Sequence, residues 1–366
     1  MINAMPQDGL YARSVGRGNV RVHHLTILPV AGDNAAGLGA RAARAVLDRQ
    51  ASVAWMLVFA PAREREALLG ALAAALGSVA FPVTWVIGPN CTGGGVAGIE
   101  LTAVSGTTVR TLSSPGGAGA VFEDEYATYC WLGGVGPDRI DDTPEQQARQ
   151  TYANTQGLLL QAGMGLADLA RTWLYNDAIT AWYAQFNAVR TEHYRAAGVL
   201  ERLIPASTGI GAPNPSGSAL TLAGLALRPR QPGVSVQVVP SPLQGPATEY
   251  GSFFSRAVEI ASPASRTLLI SGTAGIDPAG ETVSLGDVAG QIDCTLEVVK
   301  ALLASRGMGW GDVTRAVGYF KHAADAGAFN ACARRAGLGP LPLLITHCDI
   351  CRDNLLFELE LDAVAG

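Results

Sequence analysis

The sequence predicts an α+β protein made of two related, pseudo-symmetric units, each a mixed sheet with two helices on one face. Three observations predict it. Gly163-Met164-Gly165-x-x-Asp168-x-x-Arg171 returns as Gly307-Met308-Gly309-x-x-Asp312-x-x-Arg315, an offset of 144 residues. The same offset pairs Gln147 with Gln291, Thr151 with Thr295 and Tyr175 with Tyr319, and a near offset pairs Phe186-Asn187 with Phe329-Asn330. Matches at one spacing inside similar hydrophobic patterns mark two copies of one structural unit. Within each copy, helical and strand periodicities alternate. Finally, residues 355–362 alternate strictly: Leu355, Phe357, Leu359 and Leu361 share one face of a strand, and Leu356, Glu358, Glu360 and Asp362 share the other. A functional site is expected where the copies meet, or in a copy that diverged.

Residues before about 125 have no counterpart in the second copy. A helix over 63–76 and strands near 53–59 and 83–87 are predicted there, as an elaboration of the first domain. In the first copy, a strand at 129–132 runs into Gly133-Gly134. Thr143 is a good N-cap, Pro144 suits the first helical position, and Glu145 is favoured by the helix dipole. That helix runs to about residue 162 and stops at Gly163. Residues 169–175 carry β-branched and aromatic side chains and read as a strand. Asp177 is expected to cap a helix reaching about residue 196, with Ile179, Trp182, Tyr183, Phe186 and Val189 on one stripe. The stretches 208–217 and 228–233 are rich in turn residues, which sets a boundary near 233–236 and domains of 1–235 and 236–366. In the second copy, a strand at 268–272 enters a Gly-rich turn. Asp287 caps a helix ending at Gly307, 313–320 is a strand, and 324–336 a second helix.

The chain has 366 residues, 48% of them hydrophobic and 16% charged, enough for two domains with their own cores. A net charge of −5 and no Lys/Arg cluster argue against a nucleic-acid partner. The apolar run 67–87 is interrupted by Ser78, Pro82 and Thr84, so it reads as helix then strand and not as a membrane span. The first twenty residues lack the order of a signal peptide, which predicts a cytoplasmic location and reduced thiols for all six cysteines. Cys348-x-x-Cys351 lacks a second Cys pair or His pair, so no metal is predicted. Thr92-Gly93-Gly94-Gly95 and Gly133-Gly134-Val135-Gly136 fit neither a P-loop nor a dinucleotide fingerprint and read as turns. Of five histidines, His347 beside Cys348 is the most interesting, the alternative being a structural role. The acidic face Glu358, Glu360, Asp362 either meets water or lines a cavity. In a cavity, a desolvated glutamic acid keeps its proton and can act as a general acid.

The repeat, the segment Ile270-Ser-Gly-Thr-Ala-Gly-Ile-Asp-Pro278 and the Glu-rich closing strand resemble the Rid family of small trimeric imine hydrolases, with their chorismate-mutase-like trimer fold. Two such units in one chain resemble the chorismatases. Arg171-Thr-Trp-Leu-Tyr-Asn-Asp177, Trp182-Tyr-x-x-Phe-Asn187, Ala206-Ser-Thr-Gly-Ile-Gly-Ala-Pro213, Ser241-Pro-Leu-Gln244, Ser255-Arg-Ala-Val258 and Cys351-Arg-Asp-Asn-Leu-Leu-Phe-Glu358 carry the likeness. It implies an enzyme that removes the enolpyruvyl group of chorismate and releases pyruvate, with no metal or organic cofactor. The family's catalytic glutamate falls on Glu358, with Glu360 as second choice. Chorismate is a dianion, for which Arg190, Arg352 and Lys321 are candidates, with Tyr175, Thr208 and the Gly209 amide as neutral donors. Small residues and a cysteine in the pocket resemble the aromatising types; Gly245, Ala274, Gly275, Cys348 and Cys351 suit, which points to 3-hydroxybenzoate with 4-hydroxybenzoate as a second product. Three alternatives stay open. One is hydrolysis to a dihydroxycyclohexadiene carboxylate, and another a non-catalytic binding protein. The third is a Rid-like imine or enamine hydrolase, disfavoured because Leu343-Leu-Ile-Thr346 lacks that family's arginine. No oligomeric state is implied.

Overall fold

The structure, a computed structural model, describes residues 6–366. Its strands form three sheets. The first is built from β1 (Leu10–Arg17), β2 (Val20–Ile27), α1 (Ala35–Leu47), β3 (Ser52–Phe59), α2 (Arg65–Leu76), β4 (Val83–Val86) and β5 (Gly98–Ser105). The second takes β6 (Arg110–Ser114), β7 (Gly117–Glu123), β8 (Ala127–Val135), α3 (Pro144–Gln161), β9 (Leu169–Asn176), α4 (Ile179–Ala196), α5 (Val199–Arg202), β10 (Ala206–Gly211) and β11 (Leu220–Pro229). The third takes β12 (Ser235–Val239), β13 (Ala257–Ala261), β14 (Arg266–Ala274), α6 (Val288–Ala304), β15 (Val313–Phe320), α7 (Phe329–Arg335), β16 (Leu343–His347) and β18 (Phe357–Ala365). A short strand β17 (Asp349–Ile350) leaves the third unit and pairs with β10 of the second.

The strand orders are β1-β2-β5-β3-β4, β7-β8-β11-β9-β10 and β13-β14-β18-β15-β16, with β6 and β12 added at outer edges. These are one topology three times. In each unit an antiparallel hairpin is followed by a helix, a strand, a second helix, a parallel strand and a closing strand that inserts between hairpin and crossover. The α+β class is therefore as expected, and the 144-residue repeat is the second and third units. The expectation for the first 125 residues is corrected: they are not an elaboration of the first domain, because residues 10–105 close a sheet of their own. That unit escaped the repeat because its turn before β3 reads Asp48-Arg49-Gln50-Ala51 instead of Gly-Met-Gly, and Trp55 stands where the others have Arg171 and Arg315.

The repeated residues are skeletal. Gly163 and Gly307 take φ of 72° and 66°, the left-handed conformation that ends a helix without a Cβ penalty. The Oδ2 atoms of Asp168 and Asp312 each accept the amide of the glycine three residues earlier, at 2.9 Å. Thr143 caps α3 as expected, in a capping box with Gln146, and Asp287 caps α6. Asp177 does not cap α4; Ala178 does, at φ 47° and without a side-chain bond. The predicted 324–336 helix is a 3₁₀ segment followed by the short α7.

Each sheet buries one face beneath its own helices. The other faces meet in a shared core holding Trp55, Trp131 and Trp173, drawn from the first two units, with Val317 and Tyr319 from the third. Phe59 of β3 approaches Tyr175 of β9 and Tyr319 of β15, centroids 5.9 and 5.8 Å apart. These three rings occupy equivalent positions, so the units surround a pseudo-threefold axis. No helix among the described residues is long and apolar enough to cross a membrane.

Candidate active site

The acidic face of β18 is buried throughout, and its carboxylates divide by position. Glu360 points to the axis. Its Oε2 accepts from Arg171 Nη2 at 2.7 Å, and its Oε1 accepts from Arg315 Nη2 at 2.5 Å and Trp173 Nε1 at 3.0 Å. The two repeat-motif arginines thus converge on one carboxylate. Burial works against its charge, but Arg315 and Arg171 hold its pKa below the usual carboxylate value. Fully enclosed, Glu360 is a structural anion, which corrects its expected place as a second catalytic acid.

Glu358 points instead into a narrow cavity of about 60 Å³ at the seam of the second and third units. Burial, with Glu360 adding like charge, pushes its pKa up to about 8, against the pull of Arg171, Arg256 and Arg352. Two strands make room for it. A Cβ on Gly272 of β14 would stand 1.9 Å from Glu358 Oε1, so only glycine admits the carboxyl there. Gly272 is itself pinned, its amide donating at 2.9 Å to Thr208 Oγ1, which also accepts from Arg171 at 2.7 Å.

Three guanidiniums border the cavity. Arg190 of α4 donates to Asn187 Oδ1 at 2.7 Å, and its buried Nε has no partner. Arg256 donates through Nε to Gly245 O at 3.0 Å, and its Nη2 is also unpartnered. Arg352 donates to Gly280 O at 2.6 Å. Arg256 and Arg352 both lie over the Tyr250 ring, each 5.4 Å from its centroid. With Glu358 protonated the lining is strongly cationic, so an anion carrying a protonatable carbon or oxygen fits its chemistry.

Of the residues singled out from sequence, Glu358, Arg190, Gly209, Ala274, Cys351 and Arg352 line this cavity. Thr208, Gly245 and Gly275 stand behind the wall; Gly275 packs on Gln291. Three others lie elsewhere. Tyr175 is on the axis. Lys321 and Cys348 line a separate opening, because they follow the ends of β15 and β16 on the far side of the seam; Lys321 is held there by Asp349 at 3.0 Å. Cys351 is half-buried, and desolvation pushes its thiol pKa up to about 12. Tyr183, Ser207, Tyr250, Ser252, Phe254, Arg256, Ile276 and Leu355 also line the cavity. Ser207 and Arg256 sit inside the segments that carried the family likeness, which was the available signal for them.

The seam is unique among three. Register places Glu358 opposite Tyr319, Thr221 opposite Tyr175 and Gly98 opposite Phe59, so the acid has counterparts only in a threonine and a glycine. At the first-to-second seam the Gly134 amide donates to Thr84 Oγ1 at 2.9 Å, as Gly272 does to Thr208, but a Cβ on Gly133 would meet Pro82 at 2.9 Å.

Residues 248–364 match the Endoribonuclease L-PSP family. A chorismatase from Streptomyces rapamycinicus is 31% identical over 222 residues, covering 54% of this chain and 64% of that protein. A chorismatase crystal structure superposes with a TM-score of 0.66 at 20% identity, covering 98% of this chain and 100% of that one. The chain is similar to the chorismatases in sequence over those 222 residues and in fold throughout. The sequence match spans just under two thirds of its curated chorismatase relative, whereas the chorismatase fold is matched from end to end. RidA from the Antarctic bacterium Psychrobacter sp. PAMC 21119 aligns with 35% of the chain at 20% identity and a TM-score of 0.30.

Proposed function

We propose that this chorismatase relative cleaves the enolpyruvyl ether of chorismate, with Glu358 as the general acid. The observation that carries the reading is a buried carboxyl that keeps its proton near neutral pH, in a cavity bordered by Arg190, Arg256 and Arg352. Protonated Glu358 gives its proton to the enolpyruvyl methylene, which becomes a methyl group, and an oxocarbenium ion forms at the adjacent carbon. The departing fragment is pyruvate. If water attacks that carbon, one water is consumed and a dihydroxycyclohexadiene carboxylate remains. If the ring's own hydroxyl acts, chorismate divides into pyruvate and hydroxybenzoate with no net water. Cys351 beside Ala274 gives the ring a small, poorly hydrated wall, which favours the second course and 3-hydroxybenzoate, with 4-hydroxybenzoate as a minor product. The arginines hold the two carboxylates; no cofactor enters the scheme.

Small-molecule pockets usually hold about 300–1,000 Å³, so a cavity of about 60 Å³ must widen to admit the ring. The segment between β12 and β13, which carries Tyr250 and Phe254, is the wall that gives way in this reading. The test is purified protein with chorismate, pyruvate followed by a coupled dehydrogenase, and the ring product separated by chromatography. Pyruvate with 3-hydroxybenzoate supports the reading, pyruvate with the dihydrodiol acid supports the hydrolytic alternative, and no pyruvate above the spontaneous rate removes both.

A further inference from the structure

A second cavity, of about 360 Å³, lies back to back with the first. Phe254 and Arg256 stand in both linings and form the partition. Its other walls come from the end of α5, from β12 and from the turn after β12, and Leu200, Ile204, Val238, Pro240 and Ala247 make them largely apolar. Besides Arg256 Nη2 in the partition, a buried acceptor there lacks a partner. Gln244 lines this cavity and not the acidic one. Its Nε2 donates to Ala274 O at 3.1 Å and Ile276 O at 3.2 Å. Carbonyls only accept, so the amide nitrogen must face them and Oε1 must point away. That Oε1 is buried and unpartnered, in a residue only 5% exposed. An orphaned buried acceptor costs about 1–3 kcal/mol, so its retention points to a donor that arrives with a ligand. Beside it, Ser241 Oγ accepts the amides of Leu243 and Gln244 at 3.3 and 3.2 Å, which leaves its own hydrogen free to donate. Arg202, exposed and paired through Nη1 with Asp168 Oδ1 at 3.2 Å, brings its remaining donors to the rim.

We propose that this cavity is a second small-molecule site for a monohydroxylated aromatic acid. The ring lies on the apolar walls, the ring hydroxyl donates to Gln244 Oε1 and accepts from Ser241, and the carboxylate meets Arg202. The choice of a hydroxybenzoate rests on the functional reading above; the apolar body, the donor and the anionic end rest on the lining. The two cavities are linked, because the carbonyls that Gln244 holds belong to Ala274 and Ile276, both in the wall around Glu358. A ligand on Oε1 stiffens that wall, so product bound there slows turnover without competing with substrate.

The test is calorimetric titration of 3-hydroxybenzoate into the full chain and into Val238→Trp and Thr248→Trp. Both residues are exposed at the wall of the second cavity and lie outside the first, so either indole fills the groove. The wild type is expected to show two sites. In each variant one site is expected to weaken by about tenfold or more, a loss of about 1.4 kcal/mol. Pyruvate release at low product is expected to be unchanged, and inhibition by added 3-hydroxybenzoate to become purely competitive. A single site that persists in both variants, or two sites unaffected in both variants, overturns the proposal. The pyruvate assay on the same preparations keeps the two readings apart. No turnover with a site lost in the tryptophan variants removes the function and leaves the cavity; turnover with no such loss removes the cavity alone.

Discussion

Glu358 and Glu360 leave the same face of one strand, two residues apart, and end in opposite states. Glu360 is ionised between Arg171 and Arg315, whereas Glu358, with no cation among the described residues inside hydrogen-bond range, keeps its proton up to about pH 8. The fixed anion also favours the proton on its neighbour. One strand therefore supplies both a structural charge and a candidate acid.

Glu360→Gln is expected to act on stability. It leaves Arg171 and Arg315 buried with less negative charge, and breaking a buried ion pair from one side typically costs about 3–5 kcal/mol. Urea unfolding measures it. A midpoint equal to wild type would show that the axis tolerates two uncompensated guanidiniums, contrary to this account.

Gly272→Ala is expected to act on catalysis. The added methyl falls within bonding distance of Glu358 Oε1, so the carboxyl must rotate away. A misplacement of about 1 Å can cost about 10²-fold. Pyruvate release should fall by that order while circular dichroism stays native. Unchanged turnover would mean the carboxyl can work from a second position.

In the proposed mechanism the acid form of Glu358 is the active one, so pyruvate release should be level below about pH 8 and fall as pH rises through it. The groups facing this carboxyl are Glu360, Arg171, Arg256, Arg352, Cys351 and Tyr183. Its folded pKa exceeds its unfolded one, so its contribution to stability is complete below the unfolded value near 4.5 and is lost as pH rises through about 8. Glu358→Gln does not titrate, so its melting temperature should exceed wild type at pH 9 and converge with it at pH 4. A wild-type rate that keeps rising to pH 9 would count against a neutral acid.

Local patterns carried much of this in the sequence. The strict alternation after Leu355 gave the two faces of β18, and the Gly-Met-Gly repeat gave two of three units. The first unit was hidden because its skeletal glycines and arginine are replaced, while its topology, which the sequence expresses only through pairing, is kept. Arg190 and Arg352 were identifiable as cations near family motifs. Lys321 and Cys348 were not separable from them, since which side of a seam a strand end faces is decided by the packing of units. Tyr250 and Arg256 come from a turn whose path depends on β12 and β13 being neighbours, a long-range fact with no periodic signature.

The most direct test is pyruvate release from chorismate by Glu358→Gln at pH 7. Gln matches the shape and still donates a hydrogen bond, but it cannot deliver the proton. General acid assistance is typically worth about 10²–10⁴-fold, so turnover should drop by that range while the variant still folds and binds chorismate. Near-normal turnover would contradict the assignment of the acid to Glu358 and, with it, the mechanism built on this cavity.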